Sequence, residues 1–233
     1  MKAQTAVPPH SQAAAGAQRD VASSLKITEI FHSLQGESSL SGWPTVFVRL
    51  TGCPLRCQYC DTAYAFHGGQ RQTLDDILDS IDRHQCGHVC VTGGEPLAQP
   101  ACLDLLSRLC DRGHVVSLET SGALPVAAVD PRVIKILDIK TPGSGEQQRN
   151  HWANLQALQA HDEIKFVICD RTDYDWAADL IRQHELQRYT VWLSPSHAQL
   201  APRELAAWML ADQLPARLQL QLHKHIWGDV PGH

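Results

Sequence analysis

The chain has 233 residues, of which 43% are hydrophobic and 19% are charged, and its formal net charge is −5. This length suits one α/β domain, and the negative charge gives no support for electrostatic binding to nucleic acid or to a membrane surface. No apolar run reaches the length of a transmembrane helix, so we expect a cytoplasmic protein whose eight cysteines serve metal or redox chemistry and not disulfides.

Residues 1–24 are rich in alanine and glutamine and carry few large apolar side chains. This composition is typical of a disordered extension, although a misassigned start codon would leave the same pattern. A regular apolar pattern begins at Leu25, and we expect residues 25–233 to form a single domain.

From residue 25 onward, strand patterns and helix patterns alternate. Short runs of β-branched and apolar residues predict strands at 26–33, 45–50, 88–92, 115–120, 133–139, 164–169, 190–193 and 217–222. Apolar residues at helical spacing predict helices at 74–81, 102–109, 151–158, 176–181 and 202–210, the first with a capping box formed by Thr73 and Asp76. The alternation predicts a mostly parallel sheet, and about six such units fit a partial or full TIM-like barrel better than a small doubly wound sheet.

Unusual loops follow four of the predicted strands. They are the cysteine loop at 53–62, Gly-Gly-Glu-Pro at 93–96, Glu-Thr-Ser-Gly at 119–122 and a glycine-rich segment at 140–145. Because the carboxyl ends of parallel strands meet at one end of such a barrel, we expect these loops to share a common site.

Three cysteines of the cysteine loop, Cys53, Cys57 and Cys60, have the spacing C-x3-C-x2-C. Three thiolates could bind a four-iron cluster and leave one iron open, since such a cluster is ordinarily held by four thiolates. The alternative is a zinc site with Asp61 or His67 as the fourth ligand, but the chain lacks the second C-x2-C or spaced histidine pair that would favour it. Five other cysteines lie among apolar residues and are expected to be buried, at positions 86, 90, 102, 110 and 169.

The cysteine motif and the downstream Gly-Gly-Glu-Pro together resemble the radical S-adenosylmethionine (SAM) superfamily, whose fold is an incomplete barrel. The resemblance implies a 4Fe–4S cluster on the three cysteines and SAM on the open iron, where reduction yields a 5′-deoxyadenosyl radical. The protein would supply placement and exclusion of water. The implied SAM contacts are Tyr59, Cys60, Asp61, Gly94, Glu95, Asp138, Ile139, Lys140, Ser194, Pro195, Ser196 and His197, although other members read Ser-Pro-Lys at 138–140.

Further motifs narrow the resemblance to one family. They lie at 33–37 (Ser-Leu-Gln-Gly-Glu), 42–44 (Gly-Trp-Pro), 46–50 (Val-Phe-Val-Arg-Leu), 60–62 (Cys-Asp-Thr), 119–122 (Glu-Thr-Ser-Gly) and 221–224 (Gln-Leu-His-Lys). Together they resemble the 7-carboxy-7-deazaguanine synthases, lyases that convert 6-carboxy-5,6,7,8-tetrahydropterin to 7-carboxy-7-deazaguanine with loss of ammonia, on the route to queuosine. The resemblance implies regenerated SAM, a homodimer, an electron donor such as flavodoxin or ferredoxin, and no catalytic residue beyond the cofactor ligands.

The same resemblance implies a substrate site and a magnesium site. A pterin edge needs paired hydrogen-bond donors and acceptors, a substrate carboxylate suits a guanidinium fork, and Mg²⁺ takes oxygen ligands while keeping some waters. Many members end soon after the 221–224 motif, whereas this sequence continues from Gly228 to His233. The implied substrate contacts are Leu34, Gln35, Gly36, Glu37, Arg49, Thr92 and His223, and Thr62 is the implied Mg²⁺ ligand.

Two other functions compete with this interpretation. A glycyl-radical activase shares the cysteine spacing but acts on a protein, and the Gln-Gly-Glu and Cys-Asp-Thr motifs disfavour it. A zinc-stabilised binding module is the non-enzymatic alternative, and iron content with brown colour would separate it from a cluster protein.

Overall fold

The computed structural model describes residues 23–228, together with residues 230 and 232. Residues 1–22 of the predicted extension lie outside this part, and Ser24, the last residue of that extension, opens the first strand. The strands are β1 Ser24–Leu34, β2 Pro44–Leu50, β3 Gln70–Thr73, β4 His88–Gly93, β5 Val115–Thr120, β6 Ile134–Asp138, β7 Glu163–Ile168, β8 Thr190–Pro195 and β9 Arg217–Leu218. The helices are α1 Leu74–Asp82, α2 Cys102–Asp111, α3 Asn154–Ala157, α4 Arg171–Gln183, α5 Pro202–Ala211 and α6 Leu222–Trp227.

The strands form one open sheet in the order β3-β1-β2-β4-β5-β6-β7-β8-β9. Neighbours from β2 to β9 run parallel, whereas β1 is antiparallel to both β2 and β3. The predicted parallel, incomplete barrel is therefore confirmed, with the two-residue β9 as a further short parallel strand at one edge. No helix in the described part of the chain is long and apolar enough to cross a membrane.

The helices pack on the sheet through the faces that the apolar periodicity indicated. In α1 the four apolar residues at 74, 77, 78 and 81 are all buried, and in α2 so are those at 102, 105, 106 and 109. The Thr73 hydroxyl accepts a hydrogen bond from the Asp76 amide at 3.2 Å and donates to the Asp76 carboxylate at 2.7 Å. The predicted cap of α1 is thus present and satisfies one of the free amides of the first turn.

Two predicted elements differ from the structure. The helix expected at 151–158 is only the single turn α3, because the Asn154 side chain binds the carbonyls of Gly122 and Leu124 and the Val126 amide. The strand expected at 217–222 stops after Leu218, and the residues from Leu222 onward form α6. There the chain leaves the sheet, and the Leu222 amide binds the Gly36 carbonyl at 3.0 Å.

The prediction that the remaining five cysteines are buried is only partly correct. Cys90 and Cys102 are fully buried as expected, but Cys86, Cys110 and Cys169 are only half-buried. The edge strand β3, with the polar sequence Gln-Arg-Gln-Thr, was not predicted, because an edge strand at the surface needs no apolar alternation.

The β7 side chain of Phe166 provides a test of the core. It is fully buried, and its ring meets the Trp176 ring edge-on with the centroids 6.3 Å apart. We expect Phe166→Ala to lower the free energy of unfolding by about 3–5 kcal/mol, because the truncation leaves a cavity, as measured by urea unfolding under anaerobic conditions. The control Leu210→Ala removes a side chain that is 79% exposed and should change it by less than about 0.5 kcal/mol. Similar losses in both variants would contradict this placement of Phe166.

Candidate functional site

A cavity of about 250 Å³ opens where the carboxyl ends of the parallel strands meet. The loops after β2, β4, β5, β6 and β8 all contribute lining residues, as the topology predicted. The loop at 35–38 also lines the cavity, although it follows β1, which runs antiparallel to β2. Every residue predicted for the site lines this cavity except Glu95 and Ile139.

The thiols of Cys53, Cys57 and Cys60 are half-buried in the cavity wall. Burial raises the pKa of all three, that of Cys57 to about 11, while the nearby Lys140 ammonium opposes the rise. Metal binding would displace the thiol protons, as coordination by cysteine requires.

The donor set fits a cluster better than one zinc ion. Within residues 23–228, 230 and 232, no group of three or more His, Cys, Asp or Glu side chains is arranged to hold a metal ion. In a four-iron cluster each thiolate binds a different iron, so its cysteines need not converge on one point as the ligands of a tetrahedral zinc ion must. The three thiols, the cavity beside them and the Lys140 ammonium are therefore compatible with a bound cluster.

The Gly-Gly-Glu-Pro segment is held against the start of the cysteine loop. A Cβ atom on Gly94 would lie 2.2 Å from the Gly52 carbonyl oxygen and 2.8 Å from the Cys53 Cβ, so a side chain there would clash with that loop. The Glu95 amide also donates to the Gly52 carbonyl at 2.8 Å. The lack of a side chain at Gly94 thus lets the cysteine loop pack against the backbone at this position.

Glu95 does not reach the cavity. Its carboxylate is fully buried and accepts hydrogen bonds from the Thr120 hydroxyl, the Ser121 amide at 2.7 Å and the Leu97 amide at 3.0 Å. A carboxylate with this many donors is well satisfied, so here its role is to fix the turn after β5, which itself lines the cavity.

The side chains of residues 138–140 lie partly in the cavity wall and partly in the hydrophobic core. Ile139 is 3% exposed and belongs to the hydrophobic core, while Asp138 and Lys140 face the cavity. The Lys140 ammonium lies 2.8 Å from the Asp138 carboxylate and 5.8 Å from the centre of the Tyr59 ring. Burial opposes the charge of Lys140, but Asp138 and the Cys57 thiol raise its pKa, which keeps the lysine protonated. The aspartate that stands in place of the family's serine is thus half of an ion pair.

Arg49 forms an ion pair with Glu29 on the adjacent strand β1. Its Nε donates to the Glu29 carboxylate at 2.6 Å, and the Tyr64 hydroxyl donates to the same oxygen at 2.8 Å. The Arg49 side chain is 15% exposed and lines the cavity. The Nε–Glu29 bond orients the guanidinium and leaves its terminal nitrogens free for a second anion.

The carboxyl-terminal helix α6 covers one side of the cavity. A Cβ atom on Gly36 would lie 2.2 Å from Nδ1 of His223, so only glycine allows this approach. Gln221 and Lys224 bind the Asp61 carboxylate at 3.1 and 3.3 Å. Despite its partial burial, Asp61 has a pKa lowered to about 2, chiefly by Lys224, and burial lowers the pKa of His223. His223, which directly follows the strand predicted at 217–222, therefore lies on a helix that is tied to the cysteine loop.

Several lining residues were not identified from the sequence. Lys165 on β7 lay in none of the predicted loops, and Glu119 on β5 begins the 119–122 loop expected at the site but had no role of its own. A charged residue within a buried strand is a signal that could have identified both, because an unpaired buried charge is costly. The Glu119 carboxylate accepts from the Thr92 hydroxyl at 2.8 Å and from the Gln35 amide at 3.4 Å, and burial raises its pKa. Further polar lining residues without a predicted role of their own are Ser38, Thr120, Ser121, Gln219, Gln221 and Lys224, of which Thr120 and Ser121 belong to the 119–122 loop expected at the site.

The cavity wall contains buried polar atoms that lack hydrogen-bond partners within the described part of the chain. They are Glu37 Oε1, Tyr59 Oη, Asp138 Oδ1, Ser194 Oγ and Gln219 Oε1. Buried polar groups are nearly always hydrogen-bonded in native proteins, so five such atoms in one wall indicate a polar ligand of considerable size.

Comparison with known proteins agrees with this geometry. Residues 47–141 match the radical SAM superfamily. A 7-carboxy-7-deazaguanine synthase of Chlorobaculum tepidum is 51% identical over 207 residues, covering 87% of this chain and 94% of that protein. The corresponding protein of Koribacter versatilis is 46% identical over 219 residues, covering 87% and 97%.

A solved structure shares the fold. The crystal structure of QueE from Escherichia coli superposes with a TM-score of 0.73 and covers 91% of this chain and all of that one, at 24% sequence identity. The open parallel sheet is therefore the incomplete barrel expected of the radical SAM superfamily.

Proposed function

Because this chain belongs to the 7-carboxy-7-deazaguanine synthase family of the radical SAM superfamily, we propose that it converts 6-carboxy-5,6,7,8-tetrahydropterin to 7-carboxy-7-deazaguanine with release of ammonia. This ring contraction belongs to queuosine biosynthesis, and the enzyme is a lyase. The supporting observation is that one cavity collects the three cysteines, the end of the Gly-Gly segment and the buried Gln-Gly-Glu loop.

We assign some residues of the cavity wall to cofactor binding and others to substrate binding. Cys53, Cys57 and Cys60 would hold the 4Fe–4S cluster that the family requires, and this cluster with SAM supplies one-electron radical chemistry. SAM would bind beside the cluster, and two of the proposed SAM contacts, Tyr59 and Ser194, have buried hydroxyl oxygens without a hydrogen-bond partner among the described residues. We propose as SAM contacts Tyr59, Cys60, Asp61, Gly94, Asp138, Lys140, Ser194, Pro195, Ser196 and His197; Glu95 and Ile139 would act only by supporting their neighbours.

A second set of lining residues suits a flat heterocycle that bears a carboxylate. Gln35 and Glu37 offer the donors and acceptors that a pterin edge needs, and Arg49 offers its terminal nitrogens to the carboxylate. Leu34, Gly36, Thr92 and His223 complete the proposed substrate contacts, and all of them line the same cavity.

Thr62 is the proposed Mg²⁺ ligand. It precedes the short helical turn Ala63–Phe66, but its hydroxyl does not cap that turn and instead donates to the Asp61 carboxylate at 2.9 Å. The capping role that would explain an isolated threonine is thus not filled by this side chain. Substrate oxygens and waters would complete the coordination, as is usual for Mg²⁺.

We expect Thr62→Ala to weaken the dependence of turnover on Mg²⁺ while leaving the iron content unchanged. The substitution removes one oxygen ligand and no thiol, so the Mg²⁺ concentration for half-maximal activity should rise about 10-fold, a change equivalent to about 1.4 kcal/mol. Thr62→Ser, which keeps the hydroxyl, is the matched control and should retain the wild-type response. An unchanged Mg²⁺ titration in the alanine variant would remove Thr62 from the metal site.

The proposal extends to the domain organisation, the oligomeric state and the electron donor. We propose that residues 25–233 form one radical SAM domain preceded by the extension at 1–24, and that the enzyme is a cytoplasmic homodimer reduced by a flavodoxin or ferredoxin. Exposed apolar side chains in and after β9 support self-association, among them Leu218, Leu220 and Ile226. Light scattering on the purified enzyme would test the dimer.

One incubation tests the function against its competitors. Anaerobically purified protein should be brown, contain about four irons per chain, and form 7-carboxy-7-deazaguanine from carboxytetrahydropterin, SAM and dithionite, as detected by mass spectrometry. A glycyl-radical activase needs an open face for a protein substrate, whereas Gln35 is 2% exposed and lies within the cavity. A colourless, zinc-loaded protein would contradict the proposal.

A further inference from the structure

Lys165 is a buried charged residue in strand β7, and it is not among the proposed cofactor or substrate contacts. Its ammonium lies 2.5 Å from Oε2 of Glu37, which belongs to the loop between β1 and β2. The two side chains are 13% and 12% exposed, so the pair is largely removed from water. The Glu37 and Lys165 side chains both line the cavity.

A buried ion pair is a poor source of stability, since the loss of hydration can exceed the attraction between the charges. The loop between β1 and β2 also has a second contact with β7. The neighbouring β7 residue Glu163 already binds the amide and hydroxyl of Ser39, and it also accepts from the Trp192 indole at 2.5 Å. A separate reason is therefore needed for a second charged contact between Lys165 and the same loop.

The second carboxylate oxygen of Glu37 suggests why Lys165 contacts this loop. Lys165 occupies Oε2, while Oε1 is buried and has no hydrogen-bond partner within the described residues. The amide of Glu37 is turned the other way and donates to the Gln35 side chain at 3.3 Å. One carboxylate oxygen is thus fixed by the protein, and the other is left for a donor inside the cavity.

We propose that Lys165 is a positioning residue for substrate binding, which keeps Glu37 ionised and orients its free oxygen to accept hydrogen bonds from the N–H donors of the heterocycle. This inference rests on the proposed function. Lys165 acts through Glu37 and does not touch the substrate. A protonated Glu37 would present a hydroxyl donor toward the donor edge of the heterocycle, which is a mismatch in a buried site.

The electrostatics of the site agree with this role. Burial and the Asp61 carboxylate raise the pKa of Glu37, but the charge and hydrogen bond of Lys165 outweigh them and lower it below its usual range. Lys165 itself stays charged because Glu37, Asp138 and Glu119 raise its pKa against the effect of burial. Without Lys165, burial would favour the neutral acid.

A double-mutant cycle tests the proposal, with binding of carboxytetrahydropterin measured in the presence of SAM and absence of reductant, so that no turnover occurs. We expect Glu37→Gln to weaken binding about 10-fold or more, equivalent to about 1.4 kcal/mol. Lys165→Met should cause a similar loss, and the double variant should bind no worse than Glu37→Gln alone. Additive losses would show that Lys165 contacts the substrate itself, and would overturn the positioning role.

Because removal of one partner leaves a buried charge, Lys165→Met could fold poorly. The double variant avoids this problem, and its comparison with Glu37→Gln shows whether Lys165 contributes binding that does not pass through Glu37. If Lys165→Met does not fold, Lys165→Gln, which is uncharged but can still donate a hydrogen bond to Glu37, takes its place in the cycle. Lys165→Arg keeps the positive charge and should restore most of the affinity. Cluster absorbance and unfolding temperature, measured on every variant, separate lost binding from lost structure.

The pH profile gives a second readout that a merely structural lysine would not move. Wild-type binding should vary little with pH on account of Glu37, whereas in Lys165→Met it should weaken as the pH falls and recover as the pH rises and Glu37 ionises. The other charged or titratable groups that face Glu37 are Asp61 from the cysteine loop, His223 from α6 and Glu119 from β5. The Glu37→Gln variant retains these three groups but lacks the Glu37 carboxylate. Any pH dependence of binding in this variant therefore comes from the other groups and can be subtracted.

The outcomes for the two proposals are distinct. If the wild-type enzyme neither binds nor converts carboxytetrahydropterin, the proposed function fails. If the wild type does both and Lys165→Met keeps its full affinity at every pH, the proposed function stands and the inference about Lys165 is wrong.

Discussion

Replacement of Cys57 by alanine is expected to reduce the formation of 5′-deoxyadenosine from SAM to background and to lower the iron content. Cys57 is the central thiol of the motif and lines the cavity together with Cys53 and Cys60. With only two thiols left, a four-iron cluster would lose half of the ligands that it ordinarily has. The measurement is 5′-deoxyadenosine release with dithionite, alongside iron and sulfide analysis of the anaerobically reconstituted protein.

Cys110→Ala is the matched control for this experiment. Cys110 is another half-buried free cysteine, but it lies on α2 and does not line the cavity. The control should keep the iron content and the SAM cleavage of the wild type. If Cys57→Ala retained SAM cleavage while Cys110→Ala lost it, the assignment of the cluster to the cysteine loop would be refuted.

Arg49→Met is expected to lower kcat/KM for carboxytetrahydropterin by about 30-fold or more, since removal of one partner of a buried charge pair costs about 2 kcal/mol or more. The guanidinium is held by Glu29 at 2.6 Å and faces the cavity, so its loss would leave the substrate carboxylate without a partner. The effect should appear mainly in KM if the contact is equally strong in the ground state and in the transition state.

Two further variants separate binding from structure at this position. Arg49→Lys keeps the charge but cannot form the planar fork, and it should recover only part of the loss. Glu29→Gln removes the ionic partner of Arg49 without removing the guanidinium, and its effect on kcat/KM should be smaller than that of Arg49→Met. Equal effects of Glu29→Gln and Arg49→Met would indicate that Arg49 supports the fold and does not contact the substrate.

Cys57 and Arg49 line one cavity in which several charged side chains are arranged in pairs. Lys140 is paired with Asp138 beside the cysteines, and Lys165 with Glu37. Buried charges are tolerated when they are paired and hydrogen-bonded. The pairs therefore allow the enzyme to place ionised groups next to a cofactor and a substrate that both carry charges.

Much of the fold was predictable because it depends on local periodicity. Alternating apolar runs and helical faces gave the order of strands and helices, and the strand expected at 115–120 coincides with β5. The elements that differed are those whose ends are decided by distant partners. Asn154 is drawn to the turn after β5, which shortens α3, and Gly36 binds the chain at Leu222, where α6 begins.

The sequence by itself determined the family, the parallel barrel and the set of residues at its mouth, since cysteine spacing and strand alternation are short-range properties. Only the tertiary structure decided how those residues are used. It directed the Glu95 carboxylate to Thr120 and away from the cavity, and it brought together Glu37 and Lys165, which are 128 positions apart. Such pairs depend on strand register and on the path of the loop between β1 and β2, and no local pattern encodes either, because both follow from the packing of the whole chain.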